Sequence, residues 1–143
     1  MSAHILIIDD NPSDVHLLRR ALNAYGEFHI NVAHDGEEAM EFIRKMRRQK
    51  ESRGYETEPL PCVIALDLHM PKYDGIQVLQ AIRQDAELSH VEVVVLTGGA
   101  SAREQAEILS LGARCQAKPS RLTEFEDLAA NLAAICGGLQ PVA

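Results

Sequence analysis

Short apolar runs alternate with longer segments of helical period along the whole chain. The runs cover His4 to Ile8, Phe28 to Ala33, Cys62 to Leu66, Val91 to Leu96 and Cys115 to Ala117. Each has the length of a strand, and their near-continuous apolar character is that of strands covered on both faces. Between them, apolar residues recur at helical spacing. Val15, Leu18, Leu22 and Tyr25 share one face of the first helical segment, and Phe125, Leu128, Leu132 and Ile135 form a stripe on the last. Five strands alternating with five helices predict an α/β protein: a parallel sheet with right-handed crossovers and helices on both faces.

The helices carry start signals. Asn11 followed by Pro12 gives a capping side chain and a proline at the first helical position. Asp35, Glu37 and Glu38 place negative charge at the start of the second helix, and Asp74-Gly75 opens the third. Ser101 with Glu104, and Thr123 with Glu126, have the spacing of capping boxes. The segment 47–61 breaks the rhythm: it is charged, contains Gly54, Pro59 and Pro61, and exceeds the usual helix-to-strand connection. It reads as an extended second helix followed by a solvated loop, with a partner-contact segment as the sharper alternative. The expected organisation is one domain over 1–136, with this extended crossover at 47–61, and a short tail over 137–143.

Charge and length narrow the function classes. The chain has 143 residues, with 14 Lys plus Arg against 21 Asp plus Glu, a formal net charge of -7. An acidic chain without a basic stripe is a poor ligand for nucleic-acid phosphates. No run approaches the length of a membrane span, and the N-terminus lacks the pattern of a secretory signal. A cytoplasmic location is expected. Cys62, Cys115 and Cys136 are odd in number and contain no Cys-x-x-Cys pair. Cys62 and Cys115 fall in strand-like runs and read as small buried hydrophobes, with Cys136 partly exposed near the end of the last helix. His4, His16, His29, His34 and His90 have no metal-ligand spacing.

Chemistry gathers at the ends of the strands. Asp9-Asp10 follow the first run, Asp67 ends the third, Thr97 ends the fourth before Gly98-Gly99, and Lys118-Pro119 follow the fifth. Parallel strands bring their carboxyl ends to one edge, where open α/β sheets place their sites. Converging carboxylates repel, so such a cluster makes sense around a hard divalent cation such as Mg²⁺. A carboxylate kept ionised there can attack a phosphoryl donor and form an acyl phosphate. Lys118 would add positive charge at the phosphoryl oxygens, aimed into the site by a cis Lys118-Pro119 bond, and the Thr97 hydroxyl would donate a hydrogen bond to them. Asp9 and Asp10 alone would equally suit a helix dipole, and Lys118 alone a solvated surface.

Together these positions resemble the receiver domain of two-component response regulators over about His4 to Ile135. The resemblance implies a flavodoxin-like (βα)5 fold and a phosphoprotein of a phosphorelay. Asp67 would be the phosphoacceptor, with Thr97 and Lys118 as its catalytic partners. The implied metal ligands for Mg²⁺ are Asp9, Asp10, Asp67 and the carbonyl of His69, Asp9 acting mainly through water. The implied donor is a phosphohistidine on a sensor histidine kinase. Phosphorylation and its loss would be self-catalysed, without other enzymatic activity, and the output would be a changed docking surface for a downstream protein.

Departures from the family pattern concern the relay of the signal. Receivers usually carry an aromatic residue three positions before the lysine, where this chain has Cys115, and Ser120 stands where Phe is common after Lys-Pro. The long crossover, with no output domain in view, is similar to small stand-alone receivers of bacterial and cyanobacterial phytochrome kinases. That likeness implies a light-sensing kinase as partner and is compatible with a homodimer. His69 and Gly99, two residues after Asp67 and Thr97, sit at positions that tune phosphate loss.

Three other functions compete for these residues. A cobalamin-binding module would explain Asp67-Leu68-His69, but Lys72 occupies its required glycine position and Asp9-Asp10 would be idle. A phosphatase using Asp67 as nucleophile would need an acid where His69 stands. A receiver-shaped interaction module independent of phosphorylation has only Cys115 in its favour.

Overall fold

The computed structural model describes residues 3–53, 60–70 and 72–137, with the backbone alone for 46–53. Its elements run β1 (Ala3–Ile8), α1 (Pro12–Leu22), a 3₁₀ turn (Asn23–Tyr25), β2 (Phe28–Ala33), α2 (Gly36–Arg53), β3 (Val63–Asp67), α3 (Gly75–Gln84), β4 (Glu92–Thr97), α4 (Ala102–Ser110), β5 (Arg114–Ala117) and α5 (Leu122–Gly137). The five strands form one parallel sheet in the order β2-β1-β3-β4-β5. The chain reverses its winding between β1 and β3, which is where such sheets open a crevice at their carboxyl edge.

Strand alternation divides the core. Ile5, Ile7, Val63, Ala65, Val94 and Leu96 face Val15, Leu18 and Leu22 of α1 and Phe125, Leu128, Ala129 and Leu132 of α5. Leu6, Ile8, Ile64, Leu66, Val93 and Val95 face α2, α3 and α4 through residues such as Ile43, Leu79 and Ile108. The three central strands are apolar on both sides because both sides are covered.

Start signals are largely realised. Asn11 accepts hydrogen bonds from the backbone N–H groups of Ser13 and Asp14, and Ser101 with Glu104 closes a capping box. Asp74 closes another with Gln77. The Thr123–Glu126 box expected for the last helix is not the one used. Helix α5 begins two residues earlier than that box would set, at Leu122, and Glu124 reaches back to the N–H groups of Ser120 and Arg121 and to the Ser120 hydroxyl, each at 3.0 Å. One carboxylate there satisfies three donors, which the later box could not do.

The extended second helix runs to Arg53, while the expected loop over 54–59 and the tail over 138–143 lie outside the described residues. The cysteine expectations need correction. Cys115 is exposed, because β5 is a four-residue edge strand with β4 as its only neighbour among the described residues. Cys62 is half-buried and joined by a disulfide to Cys136.

Candidate functional site

Strand termination puts the acids on one edge. Asp67 is the last residue of β3 and Thr97 the last of β4; Asp9-Asp10 directly follow β1, and Lys118 directly follows β5. Register fixes their heights, since Ile8 pairs with Leu66, Asp67 with Leu96 and Thr97 with Ala117. Asp67 is 3 % and Asp9 5 % exposed, so both carboxylates have lost most of their water, whereas Asp10 is open to solvent. Carboxylate oxygens of the three lie within 4.8 Å of one another.

Lys118 holds the cluster together. Its Nζ donates to Asp67 Oδ2 at 2.9 Å and lies 3.8 Å from Asp9 Oδ1 and 3.5 Å from Asp14 Oδ2. The lysine reaches these acids over a trans Lys118-Pro119 bond, since no peptide bond among the described residues is cis. The turn after β5 is fixed instead by the Lys118 N–H donating to the Thr97 carbonyl at 2.9 Å.

The electrostatics show a site short of positive charge. Burial pushes the Asp9 carboxyl from its ordinary 3.8 up to about 6; the Asn11 N–H and Lys118 oppose this, and Asp67 and Asp14 add to it. Burial also raises Asp67, against the hydrogen bond from Lys118 and the N–H of His69, with Asp10 adding its repulsion. Burial disfavours the Lys118 charge as well, but Asp67, Asp9 and Asp14 outweigh it and hold the ammonium above its usual range. One cation among four carboxylates leaves excess negative charge in a poorly solvated place. Three hard oxygen donors in that place could hold a divalent cation such as Mg²⁺ or Mn²⁺.

Two further groups border the acids. The Thr97 hydroxyl accepts a hydrogen bond from the Gly99 N–H at 2.9 Å, which leaves its own proton to donate. The N–H of His69 donates to Asp67 Oδ1 at 3.3 Å, while its exposed imidazole lies 3.6 Å from Glu104 at the start of α4. All the residues singled out in the sequence thus lie along one edge, with His69 near the acceptor through its backbone. Asp14 is the addition. Its place in the first turn of α1, just after Asp9-Asp10, is the signal that could have marked it.

Comparison with known proteins gives a consistent picture. The profile of the response regulator receiver domain matches residues 5–129. Response regulator Rcp1 of Synechocystis sp. is 36% identical over 94 residues, 65% of this chain and 60% of that protein. Response regulator MprA of Mycobacterium ulcerans is 33% identical over 113 residues, 79% of this chain and 42% of that protein. The chain therefore spans about half the length of these curated relatives. The crystal structure of the Mn²⁺-bound form of Rcp1 superposes with a TM-score of 0.75 at 27% identity, covering 99% of each chain. That of the phosphorylated cyanobacterial phytochrome response regulator RcpA superposes with a TM-score of 0.77 at 25% identity, covering 95% of this chain and 94% of that one.

Proposed function

The chain belongs to the response regulator receiver family, and from that premise we propose that residues 1–136 form a receiver phosphorylated on Asp67. The observation that carries this reading is Asp67 itself: a nearly buried carboxylate at a strand end, gripped by Lys118 at 2.9 Å and adjoined by two more acids within 4.8 Å. Packing alone gives no reason for such a cluster.

Asp9, Asp10, Asp67 and the carbonyl of His69 would hold Mg²⁺, Asp9 chiefly through water. When bound, the cation supplies the positive charge that the carboxylates and the phosphoryl oxygens both lack. An oxygen of Asp67 attacks the phosphorus of a phosphohistidine; the new P–O bond forms as the P–N bond breaks, and the departing imidazole takes up a proton. Lys118 moves its hydrogen bond from the carboxylate to the transferred group, and the Thr97 hydroxyl donates its free proton to a second phosphoryl oxygen. Loss of phosphate by water attack is the only other reaction of the site.

The proposed donor is a sensor histidine kinase, with a phytochrome favoured because RcpA is a phytochrome response regulator. The output is a docking surface for a downstream protein whose two forms are re-weighted by phosphorylation. A cytoplasmic location follows from such a donor, and self-association into a homodimer is compatible with it. Cys115, exposed where receivers usually carry an aromatic residue, is the one observation favouring docking independent of phosphate. It bears on the relay of the signal and not on the acceptor.

Phosphotransfer from autophosphorylated histidine kinases, a bacterial phytochrome among them, tests the donor. Label should leave the kinase and appear on this chain, and Asp67→Asn should leave it on the kinase. Retention of label by every kinase, with a chain that accepts phosphate from a small donor, would reject the phytochrome assignment while leaving the receiver chemistry standing.

A further inference from the structure

The three cysteines do not behave alike. Cys62 and Cys136 are 74 residues apart in sequence, yet their Cα atoms lie 5.1 Å apart and their sulfurs are bonded. That separation is within the range disulfides require. Cys115 is left as the single free thiol, on the edge strand.

The pair lies far from the phosphoacceptor. Cys62 immediately precedes β3, at the end of the strand opposite Asp67, and Cys136 is the penultimate residue of α5. Both are half-buried and pack against the core shared by α1, α5 and the sheet. The bond thus fastens the carboxyl end of α5 to the central strand, adding a covalent tie to the apolar contacts there.

Opening the bond leaves the Cys62 thiol with a partner. The Cys62 Sγ lies 3.2 Å from the His4 carbonyl, so a reduced thiol finds an acceptor in place, and the Cys62 N–H keeps its 2.8 Å hydrogen bond to the same oxygen. Both cysteines are partly exposed residues near the surface end of the sheet, within reach of a small thiol or disulfide. In reducing compartments, protein disulfides are usually transient and redox-sensing. A pair that is closed by geometry, has an acceptor waiting for the Cys62 thiol and lies partly exposed has the properties of such a switch.

We propose that Cys62 and Cys136 are a reversible thiol–disulfide site whose reaction partner is a low-molecular-weight disulfide of the glutathione type. A thiolate of the pair attacks the small disulfide, whose S–S bond breaks as a mixed disulfide forms and one small thiolate leaves. The second cysteine then attacks the protein sulfur of that mixed disulfide and releases the second small thiolate. Two protein thiols are oxidised, one small disulfide is reduced, and the two protons pass to the released thiols. Oxidation clamps α5 to β3; reduction frees its end. Because the pair and Asp67 occupy opposite ends of the sheet, this input is separate from the phosphoryl input.

The test uses the full chain equilibrated in glutathione buffers from fully reducing to fully oxidising, followed by alkylation of free thiols, intact mass and peptide mapping. The expected result is three alkylated cysteines at the reducing end and, at the oxidising end, a linked Cys62–Cys136 peptide with any glutathione adduct confined to Cys115, all reopening on return to reduced glutathione. Closing a loop of this length should raise Tm by on the order of 10 °C. Hydrogen exchange over residues 128–137 should slow at least several-fold. Cys62→Ser and Cys136→Ser should each abolish both effects, and Cys115→Ser should preserve them. Cys136, near a helix end, serves where Cys62→Ser does not fold. Three reactive thiols at every ratio, glutathione adducts without the internal bond, or a bond that excess reduced glutathione never opens would each overturn the proposal.

Discussion

Asp9 and Asp67 are almost out of water, and Lys118 is the one cation within 4 Å of both among the described residues. Asp9 therefore titrates near 6 when folded and at ordinary carboxylate values when unfolded. Between those limits the folded chain binds more protons than the unfolded one, so this acid makes stability fall as pH rises from about 4 to 6. The effect is on the order of 2–3 kcal/mol in the absence of a divalent cation. Urea unfolding of wild type and Asp9→Asn across that window checks it: the wild-type curve should lose stability relative to the variant as pH rises. Saturating Mg²⁺ should raise Tm, and by more at pH 7 than at pH 4.5, where protons occupy the same carboxylates. Equal shifts at both pH values would count against a carboxylate site. Lys118→Ala removes the hydrogen bond to Asp67 and should slow acceptance of phosphate from a small donor by roughly 10²-fold, the usual effect of losing one charge-stabilising group. Single-turnover rates measured with a coupled phosphodonor assay would reveal it.

Two junctions between elements fix the edge on which the acids sit. Gly75 opens α3 against the strand end, and a Cβ there would lie 2.6 Å from Leu68 Cα and 2.8 Å from the Asp67 carbonyl. Gly75→Ala must push the loop away from the acceptor, costing about 1–3 kcal/mol and lowering phosphorylation together with Tm. A variant with unchanged Tm and full phosphorylation would contradict that packing. At the other end of the sheet, Arg83 of α3 donates to the carbonyls of Leu111 at 2.6 Å, Val91 at 2.7 Å, Ser89 at 3.1 Å and Gly112 at 3.3 Å. Arg83→Ala strips donors from two loops and should cost roughly 2–3 kcal/mol by urea unfolding, with Arg83→Lys recovering little because an ammonium lacks the fork. The Arg83 contacts were not readable from the chain, because Arg83 meets residues up to 29 positions away and lies in an ordinary helical pattern. The α5 start was misjudged because Thr123–Glu126 has the spacing of a capping box, whereas Glu124 bonds Ser120 and Arg121, a pairing that spacing does not single out.

Taken as one body, the chain is a sheet with two apolar faces, and the parts of it that were legible are those that obey local rules. Buried central strands show as unbroken apolar runs, and an acid that ends such a run, as Asp67 does, is visible without knowing its neighbours. Edge position is not local: Cys115 lies in a strand-like run but β5 has one partner, so its side chain is exposed. The Cys62–Cys136 bond is likewise invisible at a separation of 74 residues, with no motif to announce it. What the fold adds is convergence, and with it Asp14 beside Lys118. The central claim is that this convergence exists to put a phosphoryl group on Asp67. Intact mass after incubation with a small-molecule phosphodonor, with and without Mg²⁺, on wild type and Asp67→Asn, addresses it most directly. The account predicts one phosphoryl adduct on wild type that requires Mg²⁺ and disappears in the variant. A folded wild-type protein that acquires no adduct, or an adduct that persists in Asp67→Asn, would contradict it.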